Sequence, residues 1–351
     1  MAKNDNLTDF LQDIADTIRA KRGTSGPISA QNFSTEIAAI EGGGASTPDM
    51  PVIGDGKTYL YIKIAAPGRM TVPLCFSQTV TNGVTIDWGD GSATQTLSGT
   101  GKKNTTHTYT EIGEYTISLN CSGSCKLGLG HNSSNYCVMG SSGNNGRVYN
   151  NMLQRVEIGN GVTSIDNYAF RNCHSLSSIV IPEGITSIGS NAFYYCYSLS
   201  SIVIPERVTS IDNYAFRYCY SLSSIVIPER VTSIGSYAFS NCYSLSSIVI
   251  PESVTSIDSS AFSDCYSLSS IVIPERVTSI GNYAFANCHG IAFYDFSQCR
   301  SVPTLGGTSV FSNIPSDCKI VVPDNLYDTW KASTNWSTHA SKMVKASEFN
   351  S

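Results

Sequence analysis

ITSIGSNAFYYCYSLSSIVIPER, residues 185–207, returns with few changes every 23 residues through the second half of the chain. Its cysteine, Cys196, has counterparts at Cys173, Cys219, Cys242, Cys265 and Cys288, all on one lattice. A unit this short cannot bury its own apolar face. Successive units must therefore stack and share one continuous core, which makes the region a solenoid.

Within the unit the apolar positions are Ile185, Ile188, Ala192, Phe193, Cys196, Leu199, Ile202 and Ile204. The spacing Leu199, Ile202, Ile204, Pro205 alternates with period two and predicts a short strand closed by proline. The Ile185/Ile188 pair predicts a second extended arm, and the Ala-Phe-x-x-Cys stretch a tight turn that inserts Phe and Cys into the core. Over residues 153–323 this pattern resembles the BspA-like leucine-rich repeat family.

Twelve cysteines invite a disulfide reading. The six on the lattice sit among Phe, Leu and Ile, where a thiol serves as a small buried hydrophobe, and parallel side chains on neighbouring rungs fit disulfide geometry poorly. They are expected to be reduced. The chain opens at Met1 with polar residues and shows no apolar leader, so synthesis in a reducing host cytoplasm is expected.

Upstream, residues 1–41 predict a helical hairpin. Leu7, Phe10, Leu11, Ile14 and Ile18 share one helix face, and Phe33, Ile37 and Ile40 share another. This pattern is similar to the N-terminal segment of many tailed-phage structural proteins, which implies a virion-attachment piece. A Gly/Ser/Thr/Pro linker occupies 42–49. Residues 50–120 alternate short strands with turns and predict a β-sandwich. TIDWGDGS followed by THTYTEIGEYTISL resembles the PKD family of immunoglobulin-like domains, implying Trp88 in the core with Tyr109 and Tyr115 beside it. Asp87 and Asp90 read as turn formers. Residues 121–152 are rich in Gly, Ser and Asn and are expected to cap the solenoid. Their Cys121, Cys125, His131 and Cys137 miss zinc-knuckle spacing by one residue in every gap, so no metal is expected, with Cys121 and Cys125 read as apolar strand side chains. Residues 324–351 form a C-terminal cap, with Asp324 capping a helix and Trp330 and Trp336 closing the core. The fold class is thus mainly β with short helices: a solenoid of 23-residue repeats, preceded by an immunoglobulin-like β-sandwich and an N-terminal helical hairpin.

Comparing repeats with one another separates fixed from varying surface positions. Fixed are Ser200, Ser201, Val203 and their equivalents. The ladder Val180, Val203, Val226, Val249, Val272 is a candidate stripe for homo-oligomer formation. A row of Glu from Glu183 to Glu275 is offset by Arg207, Arg230 and Arg276. The varying positions flank Ala-Phe and Cys. They carry Tyr168, Arg171 and His174 in the first unit, Tyr194, Tyr195 and Tyr197 in the second, and Tyr214, Arg217, Tyr218 and Tyr220 in the third. Later units add Tyr237, Tyr243, Tyr266, Tyr283 and His289. Tyr, Arg, Ser and Asn are residues that binding surfaces favour, and repeated tyrosines suit stacking on sugar rings. The alphabet at these sites is also one that an Asn codon reaches by replacing adenines alone, the trace that targeted adenine mutagenesis would leave.

Net charge is −5 and charged residues make up 14% of the chain, with no concentrated basic face of the kind nucleic acid needs. No segment is long enough to insert in a membrane. There is no nucleophile motif, phosphate loop or tuned acid pair, so neither catalysis nor a cofactor is expected. The resemblances together imply a tail or fibre-associated receptor-binding protein of a virion. Its N-terminal helices would contact other tail proteins, and its ridge would hold a bacterial surface glycan or protein. A cellular BspA-like adhesin and a spacer without ligand are the alternatives.

Overall fold

The computed structural model describes residues 55–67, 70–79, 83–121, 127–130, 136–141 and 151–349. The N-terminal helices expected over 1–41 and the linker at 42–49 lie outside the described residues.

Two sheets face each other in the first part. Strands β1 (Thr58–Ile64), β3 (Val84–Asp87), β4 (Gln95–Leu97) and β6 (Gly113–Cys121) form one, in the order β1-β6-β3-β4, all antiparallel. Strands β2 (Thr71–Gln78), β5 (Gly101–Thr108) and β7 (Leu127–Leu129) form the other, with β2 central. Trp88 and Tyr109 are buried between them, as the resemblance at TIDWGDGS implied. The Tyr109 hydroxyl donates to the Trp88 carbonyl at 2.8 Å, and the His107 ring stacks on Trp88 at 4.8 Å. Asp87 and Asp90 do act as turn formers, accepting from the backbone N–H of Gly89 and Ser92.

Asp90 also meets His107 Nε2 at 2.6 Å. Burial pushes this carboxyl up, but the bonds from Ser92 and His107 outweigh it and hold Asp90 down at about 2. An acid held below its ordinary value of 3.8 stabilises the fold above that value, and the stabilisation is lost as pH falls toward 2. Acidification from pH 4 to 2 is therefore expected to lower wild-type stability by about 1 kcal/mol more than that of Asp90→Asn, a modest figure because the pair touches solvent. Parallel thermal melts of the two proteins check it; equal slopes would remove Asp90 from the account.

The sandwich does not stand apart from the repeats. Strand Leu153–Glu157 pairs antiparallel with β1 on one side and parallel with Ser178–Val180 of the first repeat on the other. On the opposite sheet, Val162–Ile165 pairs parallel with β7. Both sheets thus change from antiparallel to parallel at this seam. One apolar cluster runs without a break from Leu60 to Met343. The N-terminal end of the solenoid is therefore covered by β1 and β7 of the sandwich, and the described residues of 121–152 contribute β7 and the short hairpin of Tyr136–Cys137 with Gly140–Ser141.

Each repeat contributes the two arms and the turn that its spacing predicts. One arm stacks as Ser178–Val180, Ser201–Val203, Ser224–Val226 and Ser270–Val272, with Ile inward and Ser and Val outward. The other stacks as bridges Ile165 to Ile188 to Ile211 to Ile234, continued by Ser256–Ile257 and Ser279–Ile280. Phe170, Phe193, Phe216, Phe239, Phe262 and Phe285 stack inside, with ring centroids 5.2–5.7 Å apart. None of the six lattice cysteines is in a disulfide, and all are buried. From the second onward each thiol donates to the Phe carbonyl of the preceding repeat, as Cys219 does to Phe193 at 3.3 Å. That bond explains why Cys rather than Ala fills the site: the thiol is small enough for the core and still supplies a weak donor. Cys121 departs from the expectation for it. It is disulfide-bonded and partly exposed, because it ends β6 at the edge of the core.

A further register was not anticipated. The residue after the second-arm isoleucine alternates Asp166, Gly189, Asp212, Gly235, Asp258, Gly281. Asn167 and Asn213 reach over the next rung to accept from the N–H of Ser190 and Ser236, each at 2.8 Å. A Cβ on Gly235 would lie 2.7 Å from the Asn213 nitrogen, so this rung must carry glycine. Gly235→Ala is expected to destabilise by about 2 kcal/mol through forced rung separation. Urea unfolding that left the midpoint unchanged would show that the rungs do not approach this closely.

At the C-terminal end Trp330 and Trp336 are buried against Phe296 and close the core as expected. Asp324 does not cap the helix Tyr327–Ala332. It starts a separate 3-10 turn, and its carboxylate accepts from the N–H of Ser347, tying down the end of the chain.

Candidate functional site

The ridge is built by the turn joining the two arms, typified by Asp212 to Tyr220. Its backbone N–H groups alternate in direction. Those of Ala215, Arg217 and Cys219 bond back within the turn, while those of Tyr214, Phe216 and Tyr218 bond to carbonyls of the next repeat. Two positions per repeat take a left-handed backbone in this arrangement. At the first stand Tyr168, Asn191, Tyr214, Tyr237, Ser260 and Tyr283; at the second stand Asn172, Tyr195, Tyr218, Asn241, Asp264 and Asn287, all with φ between 57° and 66°.

Asn and Asp enter this region readily, whereas a bulky side chain is disfavoured by about 1–2 kcal/mol. The limited alphabet at these two positions thus has a backbone reason, without appeal to a mutational one. Tyrosine at them does not. It is held against local preference where Asn would serve, and strain of this kind concentrates at functional surfaces.

The rings fall into two sets. Behind each cysteine runs a surface ladder: His174, Tyr197, Tyr220, Tyr243, Tyr266 and His289. Its four tyrosines stack nearly parallel, centroids 4.6–4.7 Å apart. His174 continues the stack at 4.5 Å, and His289 closes it edge-on at 5.2 Å. This corrects one expectation. Stacking on sugar rings needs free aromatic faces, and in this ladder each face is covered by the next ring, leaving edges and hydroxyls for a ligand. Burial, with the neighbouring Tyr197 and Tyr243, pushes the Tyr220 hydroxyl up to about 12, so it stays protonated as both donor and acceptor.

The second set gathers around two arginines. The Arg217 guanidinium lies 4.5 Å from the Tyr237 centroid, 4.7 Å from Tyr218 and 5.5 Å from Tyr214. Arg171 sits 5.4 Å from Tyr168 and 5.3 Å from Tyr194. Tyr194 and Tyr195 bridge the two groups, with Tyr195 stacked on Tyr218 at 4.6 Å and Tyr194 edge-on to it at 5.6 Å. Burial pushes both the Tyr194 and Tyr218 hydroxyls up. Of the residues singled out from sequence, only Tyr283 stands away from both sets; it is exposed and makes no ring contact among the described residues. Asp264 occupies the second left-handed position two repeats beyond Tyr218, and accepts from Asn287 at 2.8 Å. The ridge is therefore basic over its first three repeats and acidic in its fifth.

Elsewhere on the surface, Val203, Val226, Val249 and Val272 are exposed by 38–63%, as a fixed outward row predicts. Among the described residues no group of three or more His, Cys, Asp or Glu is placed to hold a metal. Cys125 and His131 lie outside the described residues, and the disulfide at Cys121 removes that sulfur from any zinc set.

The repeat pattern described as BspA type Leucine rich repeat region matches residues 144–268 and 210–333 in six copies, together more than half of the chain. The chain belongs to the BspA-type leucine-rich repeat family. In this BspA-type protein the matched stretch takes in all six cysteine-bearing repeats and ends just past the helix Tyr327–Ala332. Among solved structures it is similar to the T. pallidum leucine-rich repeat protein TpLRR, at 28% identity over 50% of this chain and 81% of that one, with a TM-score of 0.39. A leucine-rich cell surface protein of Faecalibacterium prausnitzii is similar at 25% identity over 54% of this chain and 63% of that one, with a TM-score of 0.35. No curated protein matches the chain.

Proposed function

We propose that this BspA-type protein is a non-enzymatic receptor-binding protein whose tyrosine and arginine ridge holds a glycan or protein of a bacterial surface. The observation that carries the reading is the left-handed tyrosines: Tyr195 and Tyr218 are retained where Asn172 and Asn241 satisfy the same backbone at less strain. A spacer has no use for that. The cysteines buried beneath that surface do not supply a nucleophile. Burial pushes the Cys219, Cys242 and Cys265 thiols up, which is the opposite of what activates a nucleophile.

The placement we propose is on a virion tail, resting on the phage-like pattern of residues 1–41, with the sandwich holding the solenoid rigidly outward. Weak ridge sites repeated on an assembled tail would bind a cell tightly through effective concentration. Purified chain applied to a panel of bacterial cells is expected to bind selectively. A variant with Tyr194, Tyr197, Tyr218, Tyr220 and Tyr243 changed to Ser is expected to lose that binding. Equal binding by both proteins, or by neither, would return the solenoid to a spacer role. Fractionating an induced lysate with an antibody to the repeats tests the placement: signal with particles supports it, and signal confined to cell envelopes replaces it with a cellular adhesin.

A further inference from the structure

We infer that Arg171 and Arg217, each caged by tyrosine rings, form a paired anion subsite for an acidic polysaccharide bearing one charged group per disaccharide. This deepens the receptor-binding reading and rests on it.

Three observations converge. The first is the state of Arg217. It makes no ion pair among the described residues, and its Nε is buried without a hydrogen-bond partner. Arg300 and Arg155 are paired with acids, with Glu275 at 2.8 Å and with the buried Glu157, while Arg207, Arg230 and Arg276 are exposed to solvent. A guanidinium held by ring faces is fixed in orientation while its edge keeps donors for an oxyanion. Prior ordering of this kind removes much of the entropic penalty of binding.

The second is spacing. Arg171 and Arg217 occupy the same position two repeats apart, and each repeat advances the phenylalanine ladder by 5.2–5.3 Å between them. The charges recur at roughly the length of a disaccharide in an extended polysaccharide. The intervening repeat places Tyr194 at the same position, offering a hydroxyl where a neutral sugar would lie.

The third is strain. Of the five cage rings, Tyr168, Tyr214, Tyr218 and Tyr237 all have a left-handed backbone. Folding does not require tyrosine there, since Asn191 and Ser260 fill the position occupied by Tyr168, Tyr214 and Tyr237. Further along, the position of Arg171 and Arg217 is filled by Ser240, Ser263 and Ala286, so the anion subsite is confined to the first three repeats.

The test uses the full chain and three named probes: hyaluronan oligosaccharide, with one carboxylate per disaccharide; a glycerol-phosphate teichoic acid; and neutral dextran. Wild type is expected to bind an anionic probe, to weaken as salt rises, and to ignore dextran. Arg171→Gln and Arg217→Gln are each expected to weaken binding about tenfold. Arg217→Lys, which keeps charge but not the planar fork, should fall between. Matched thermal melts show that the variants are folded, and the lysine variant keeps the test open if a glutamine variant is not. Three outcomes overturn the proposal: binding of the phosphate polymer alone, which has no disaccharide repeat; anion binding unchanged in both glutamine variants; or no anionic probe bound while selective cell binding persists. In the last, the ridge reading survives without the anion subsite. Loss of cell selectivity altogether would instead sink the receptor-binding reading.

Discussion

Phe216→Ala is expected to destabilise the solenoid by about 4 kcal/mol, within the range for emptying a buried phenylalanine site. The ring is fully buried between Phe193 at 5.2 Å and Phe239 at 5.5 Å, both nearly parallel to it. Its removal strips contacts from two neighbours at once. In a stack whose stability is a sum of repeat and interface contributions, it weakens two adjacent interfaces rather than one. Collapse around the cavity is opposed by the backbone on either side, because the Phe216 N–H bonds to Ala238 and its carbonyl accepts the thiol of Cys242. Urea unfolding is expected to show a lower midpoint and a broadened or split transition, as the two halves lose cooperativity. Tyr220→Ala, which removes a half-buried ring from the surface ladder, is the matched comparison and should fall nearer 1 kcal/mol. Similar losses at both positions would mean that the internal stack is not the shared core of the solenoid.

The core of this molecule was legible because stacking is translation. A residue that recurs at Cys173, Cys196 and Cys219 among apolar neighbours must face inward in all rungs if it does in one, and period-two alternation marks the outer strand without further information. Two features were not legible. The left-handed positions carry no glycine, the usual sign of φ above zero, so tyrosines there read as freely varying surface residues. Their signature was present in another form: Asn, Asp and Ser share the positions before Ala-Phe and before Cys. The alternation of Asp and Gly at Asp212 and Gly235 was also visible as letters. Its cause was not, because it depends on how closely the backbone of the preceding rung approaches the glycine, at Asn213 for Gly235 and at Ser259 for Gly281, a separation the pattern does not encode. The seam was hidden for a similar reason. Nothing in Thr58–Ile64 or Leu153–Glu157 announces that they pair, since antiparallel register across nearly a hundred residues leaves no periodic trace.

Replacing Tyr195 and Tyr218 by Asn is expected to leave stability nearly unchanged while binding to the target cell falls more than about tenfold. The two effects separate because they arise from different parts of the residue. At φ of 64° each tyrosine backbone is disfavoured by about 1–2 kcal/mol, and asparagine, already present at Asn172 and Asn241, relieves most of that. Against the relief stands the loss of the Tyr195–Tyr218 stack at 4.6 Å, about 0.5–1.5 kcal/mol beyond its buried area. It also removes one of the three rings around Arg217, at 4.7 Å. These terms nearly cancel in folding. They do not cancel in binding, because the variant ridge loses two broad aromatic surfaces and leaves Arg217 less firmly oriented. Thermal melts beside a cell-binding titration read both quantities on the same preparation. A loss of more than about 2 kcal/mol with binding retained would make the tyrosines packing residues, and would remove the reason for treating strain on this ridge as a mark of function.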